Sequence, residues 1–237
     1  MNRLFVSLFV ILLTSISAFA ETARHNLIFF IADGLRPGLV TPETAPTLAR
    51  LMAQGVRFSN THSMFPTFTT PNASAMATGH KLGDTGDFSN TIDAGFQVPG
   101  AGDSLTPFLE SDPILGDVDE HYSGDYLNQD TVMKAAREAG LSTASIGKLG
   151  PALIFDHTER SGEQTVIFDD STGRPGGIPL SQEIKRRLES VGLPLEAPSR
   201  GENSKAGDFQ NQGALHSNDV QQSYFVNVTT KVILPKF

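Results

Sequence analysis

The chain of 237 residues contains no cysteine, and that single absence excludes disulfides, cysteine zinc fingers, iron–sulfur clusters and a cysteine nucleophile. Positive charge is also in short supply. Lys and Arg total 18 against 26 Asp and Glu, for a net charge of −8, which argues against binding a nucleic-acid duplex by neutralising its phosphates. An anionic substrate would then need a local positive device, such as a bound metal. Beyond the first 20 residues no apolar run is long enough to cross a bilayer, and there is no internal repeat or low-complexity tract. Hydrophobic residues make up 39% and charged residues 19%, with mean hydropathy −0.14. That composition builds a packed soluble core and is neither disordered, collagen-like nor coiled-coil.

What is present begins with an N-terminal leader. Arg3, an apolar run over residues 4–13 and the small-residue pattern Ala18-Phe19-Ala20 form the three regions of a secretory signal, so residues 1–20 are expected to be removed. The mature protein then starts near Glu21 and is expected in the periplasm or outside the cell.

From there the apolar pattern alternates between strand and helix signatures. Residues 26–32 are an almost wholly apolar run, as in a strand buried on both faces of a parallel sheet. Further strands are expected at 56–58, 143–146, 153–155 and 166–168, and helices at 45–54, from Thr70-Pro71 onward, at 130–139, at 181–191 and from Ser217 into the 220s. The rhythm predicts an α/β domain with a mostly parallel sheet. Two irregular stretches, 95–126 and 194–215, read as loop insertions within one domain over residues 21–237.

The chemistry starts at Asp33-Gly34, where a carboxylate at the end of the first strand would point into the crevice in which open α/β sheets bind ligands. Taken alone, Asp-Gly reads equally as turn chemistry. It is followed by Phe65-Pro66-Thr67-Phe68-Thr69-Thr70-Pro71-Asn72, then Met76-Ala77-Thr78-Gly79, then Gly86-Asp87-Phe88-Ser89-Asn90. In this order the segments resemble the type I phosphodiesterase and nucleotide pyrophosphatase branch of the alkaline phosphatase superfamily. The resemblance implies a three-layer αβα fold and a secreted, metal-dependent hydrolase of small phosphate esters or nucleotides. It also implies two divalent metal ions, zinc by analogy, with Asp33 a ligand of one of them. Thr69 becomes a ligand of the same ion and the nucleophile, and Asn90 a donor to a phosphoryl oxygen.

The residue types suit those roles. A threonine hydroxyl is a poor nucleophile until a metal lowers its pKa, and an aspartate supplies a hard oxygen ligand to such an ion. At the N-terminus of the helix that Pro71 opens, free amides and the helix dipole favour a phosphoryl group. The Asn90 amide can donate to a nonbridging oxygen as charge develops. Thr70 reads as a helix N-cap.

Departures from the family pattern are equally specific. Thr85-Gly86 stands where the family carries His-Gly. The family completes its metal site with Asp-x-x-x-His, Asp-His and a further His well downstream. Here the only counterparts in order are Asp117 to His121, Asp156-His157 and His216, all much closer to Thr69. They read better as a solvated acidic loop, a strand-end turn and a surface histidine. Because the sequence ends within the apolar segment 231–237, it is expected to be the N-terminal part of the catalytic domain and inactive alone. The alternative is a non-catalytic secreted α/β domain keeping a partial metal site. Lys148, at a strand end, reads as a solvated charge, and Glu196-Ala197-Pro198-Ser199-Arg200 lacks the nucleophile of the sulfatase signature it partly matches.

Overall fold

The computed structural model describes residues 26–199 and 216–235. The expected signal at 1–20, residues 200–215 of the second loop and the last two residues lie outside the described residues. The chain divides into two compact units, one ending at Leu35 and one beginning at Arg36.

In the first unit, residues 26–32 form no strand, and Leu27 is 83% exposed. The expected first strand is therefore not formed. Its apolar composition suits burial between helices, yet a strand exists only when a neighbour completes its ladder, and no described strand pairs with it. The turn at Asp33-Gly34 does form, with Leu35 N–H donating to Ala32 O at 3.2 Å and Gly34 at φ 72°.

The second unit carries the rest. Helix α1, Pro46–Gln54, closes on Gly55, whose N–H donates to Leu51 O at 2.8 Å. The expected strand at 56–58 is instead irregular, with Val56 82% and Phe58 77% exposed. Three residues offer too little ladder to persist without a partner. Helix α2, Thr69–Thr78, ends on Gly79 in the left-handed region at φ 73°, and the single turn α3, Leu82–Thr85, follows.

The first predicted insertion contains a helix, α4, Asp112–His121, which buries Ile114, Leu115 and Val118 along one face. Four acidic residues on this stretch, Asp112, Asp117, Asp119 and Glu120, mask that periodicity in the sequence. Helix α5, Val132–Glu138, starts from Thr131, whose side chain accepts the Lys134 amide. Strand β1, Thr143–Ile146, pairs in parallel with β2, Thr165–Phe168, in the register Thr143 to Thr165 and Ile146 to Phe168.

Between the two strands, the expected strand at 153–155 is replaced by a helical turn, α6, Pro151–Ile154. Gly150 at φ 88° breaks the extended path and Pro151 opens the turn, and a short fully buried apolar run has no period that tells strand from helix. Helix α7, Gln182–Ser190, is capped by Ser181 and buries Ile184 and Leu188. Helix α8, Asp219–Asn227, runs into a π-helical turn, Val228–Ile233.

The class is thus α/β with parallel pairing, and the sheet has two strands among the described residues. One apolar core lies under α2, α4 and α6, built around Leu109, Leu115, Leu153 and Ile154. Another joins β2, α7 and the C-terminal helices through Phe168, Leu188 and Val232. No helix among the described residues is long and apolar enough to cross a membrane.

Candidate active site

The loop that delivers Thr69 is tied down by Asn72. Its side chain accepts the Met64 N–H at 2.8 Å and donates to Phe68 O at 2.8 Å, with a longer contact to Pro66 O at 3.3 Å. One amide thereby satisfies donor and acceptor groups that a free loop would leave to water. Thr69 follows as the first residue of α2, half-buried, and its hydroxyl makes no hydrogen bond to another described residue. Thr70 has the opposite environment. It is fully buried, and its hydroxyl lies 3.0 Å from Ser89 O and 3.2 Å from Asn90 Oδ1. The N-cap assigned to Thr70 from sequence is accordingly corrected: α2 begins one residue earlier, Phe68 holds the cap position, and no side chain caps the helix. Of two adjacent threonines, only Thr69 has a hydroxyl that a ligand can reach.

Asn90 comes to the same helix end. Its Oδ1 accepts the Thr70 backbone N–H at 2.9 Å, using one of the free donors of the first turn. Its Nδ2 faces Glu110 Oε1 at 3.5 Å, and Lys148 Nζ sits 2.6 Å from that same oxygen. Lys148 is therefore an ion-pair partner rather than the solvated charge its position suggests.

Beneath Thr70 lies a carboxylate that motif reading passed over. Asp87 is buried, and its Oδ2 accepts from Ser74 Oγ at 2.7 Å and Tyr126 Oη at 2.9 Å. Burial pushes its pKa above the usual carboxylate range, against the lowering effect of these hydroxyl donors. The Tyr126 phenol is pushed up as well, by its own burial and by Asp87. Asp87 stands inside the quoted 86–90 segment, directly after Gly86, which at φ 83° allows the chain to turn inward. Glu110 left no comparable trace, because its partner lies 38 residues away.

The metal-ligand counterparts go elsewhere. Asp156, with no exposed surface, is held by Arg137 through Nε at 3.0 Å and Nη2 at 3.1 Å. His157 pairs through Nδ1 with Asp119 at 2.8 Å, and Arg160 takes the other Asp119 oxygen at 2.5 Å. Burial raises the Asp119 pKa, but His157 and Arg160 outweigh it and leave the group below its ordinary range. His121 stacks on Phe96 with ring centroids 3.6 Å apart, Asp117 accepts the Gly100 N–H, and His216 is exposed ahead of α8. These groups are committed to separate structural contacts. Among the described residues no three His, Cys, Asp or Glu side chains form a group that could hold a metal ion. Asp33 lies in the first unit, exposed at its turn.

Comparison with known proteins returns one finding of substance: the model of the family described as type I phosphodiesterase / nucleotide pyrophosphatase matches residues 27–196. No curated protein and no solved structure matches the chain.

Proposed function

Because this chain belongs to the type I phosphodiesterase / nucleotide pyrophosphatase family, we propose that it carries the nucleophile and phosphoryl-binding half of a phosphoric ester hydrolase. The substrates are small phosphate esters or nucleotides. The observation that carries the reading is the 2.9 Å bond from Thr70 N–H to Asn90 Oδ1, which puts an amide donor at the helix end bearing the unpartnered Thr69 hydroxyl. In this reading the Thr69 oxygen attacks phosphorus in line. The Oγ1–P bond forms as the bond to the leaving oxygen breaks, and the hydroxyl proton ends on the departing alcohol. Water then cleaves the phosphothreonine and restores the hydroxyl. The Asn90 amide takes up charge on a nonbridging oxygen as it develops.

The family is metal-dependent, and Asp33 with Thr69 are the proposed ligands, zinc the proposed ion. The fit is incomplete. Two ligands fall short of the three that a catalytic zinc ordinarily requires, and no larger group exists among the described residues. The 237-residue chain is therefore expected to give no zinc-dependent turnover by itself. Residues 1–20 are proposed as a secretion signal, which puts the chemistry in the periplasm or outside the cell.

The test is binding of inorganic phosphate, followed by the NMR shifts of the Asn90 side-chain amide and of the backbone amides of residues 69–72. Shifts that disappear in Asn90→Ala support the reading. Unmoved resonances in the unmodified chain would favour the non-catalytic alternative. Zinc-dependent hydrolysis of a chromogenic phosphodiester, abolished by Thr69→Ala, would establish the nucleophile and refute the ligand count.

A further inference from the structure

Two distant segments converge on the asparagine end of the site. Gly150, in the left-handed region at φ 88°, runs so close to the chain at Glu110 that an added Cβ would lie 2.7 Å from the Glu110 Cα. The loop bearing Gly150 is fixed at the sheet end by Gly147 N–H to Phe168 O at 2.8 Å and Leu149 N–H to Asp170 Oδ2 at 2.7 Å. Lys148 extends from this loop. The Glu110 side chain is only 6% exposed, whereas that of Lys148 is 36% exposed. One carboxylate oxygen, Oε1, thus meets the Lys148 ammonium at 2.6 Å and the Asn90 Nδ2 at 3.5 Å.

A side-chain amide nitrogen carries two hydrogens, and an ionised carboxylate only accepts. The Asn90 oxygen is turned to the Thr70 N–H, so its nitrogen must face Glu110 with one hydrogen and keeps the second for a ligand. At 3.5 Å the pull is mainly that of a charge on a dipole, which strengthens where water is excluded. A flipped amide would turn its oxygen on the carboxylate. Lys148 is what permits the arrangement, since a carboxylate this buried is costly without a counter-charge.

We propose that Glu110 is a positioning residue: with its charge balanced by Lys148, it locks the Asn90 amide so that the remaining N–H faces a phosphoryl oxygen at the head of α2. This rests on the reading of Asn90 as the phosphoryl donor. The two claims separate in one experiment on the 15N-labelled chain, which resolves both hydrogens of the Asn90 amide. In Glu110→Gln, which keeps the side-chain shape, the resonance of the hydrogen facing residue 110 should move upfield while the dispersion of the backbone amides is retained. The initial slope of the shift induced at Asn90 by inorganic phosphate should fall about 2- to 5-fold, less than a full charge-assisted hydrogen bond would give, because the contact acts as a charge on a dipole. Lys148→Gln, which leaves the carboxylate and removes its counter-charge, should move the same resonance by less. Asn90 side-chain resonances in Glu110→Gln that superimpose on those of the unmodified chain would overturn the proposal. If phosphate fails to move Asn90 even in the unmodified chain, the phosphoryl-donor reading falls, and the amide resonance still decides whether Glu110 orients Asn90.

Discussion

The pH dependence of stability should be governed by a pair of carboxyl groups away from the candidate site. Asp112, the first residue of α4, and Asp169, just past β2, are 2% and 1% exposed. Ser171 Oγ contacts one oxygen of each, at 2.9 and 2.7 Å, while Asp112 Oδ1 and Asp169 Oδ2 find no hydrogen-bond partner among the described residues. Two carboxyl groups buried this close disfavour a double negative charge, and the proton that relieves it is held on Asp112. Burial and the Asp169 charge push the Asp112 pKa up to about 8. In the unfolded chain the same group ionises near ~3.9. Between those values the folded state holds one proton more than the unfolded state, so the contribution is fully present below ~4 and is lost as pH rises toward 8. The slope is about 1.4 kcal/mol per pH unit, or roughly 4 kcal/mol between pH 5 and 8.

Urea unfolding at a series of pH values measures this directly. Asp87, whose pKa is also raised by burial, adds a slope of the same sign, so the informative quantity is a difference between variants. Asp169→Asn removes one of the two charges and supplies an amide that can donate to Asp112. It should abolish most of the slope and leave the variant more stable than the unmodified chain at pH 8. If the unmodified chain and Asp169→Asn lose stability in parallel from pH 5 to 8, the Asp169 charge does not hold the proton on Asp112.

Three other consequences are accessible to the same unfolding assay. Thr69→Ala should change stability by less than about 0.5 kcal/mol because its hydroxyl has no described partner, whereas Thr70→Ala should cost about 1–3 kcal/mol by stripping Ser89 O of a buried donor; equal effects would contradict the distinction between the two threonines. Arg137→Ala should destabilise by roughly 3–5 kcal/mol, because it leaves the buried Asp156 carboxylate without its cation, and a neutral result would show that Thr165 and water suffice. Gly150→Ala, forcing a Cβ against the Glu110 backbone at positive φ, should cost more than about 2 kcal/mol. It should also shift the Asn90 side-chain resonances, and a variant as stable as the unmodified chain would refute the close approach.

The class of the fold and the segments that meet at the head of α2 were legible in the amino-acid order because both are local. Ser181 and Gly55 mark helix ends by their own backbone chemistry, and β1 and β2 are β-rich runs that find each other in register. The 65–90 segments sit close in sequence, so Thr69 and Asn90 could be proposed from order alone, whereas the part Asn72 plays in holding the loop shows only in its contacts. The tertiary structure decided what depends on partners far along the chain. Residues 26–32 have strand composition without a described neighbour, and α4 is a helix whose apolar face shows only once it meets Leu109 and Leu153. Asp156 and His157 carry ligand chemistry but are claimed by Arg137 and Asp119. Glu110 and Lys148 acquire meaning only because Gly150 lets two chain segments touch. Periodicity and caps act within a few residues, whereas charge pairing and burial act through space, and a linear pattern does not carry those distances.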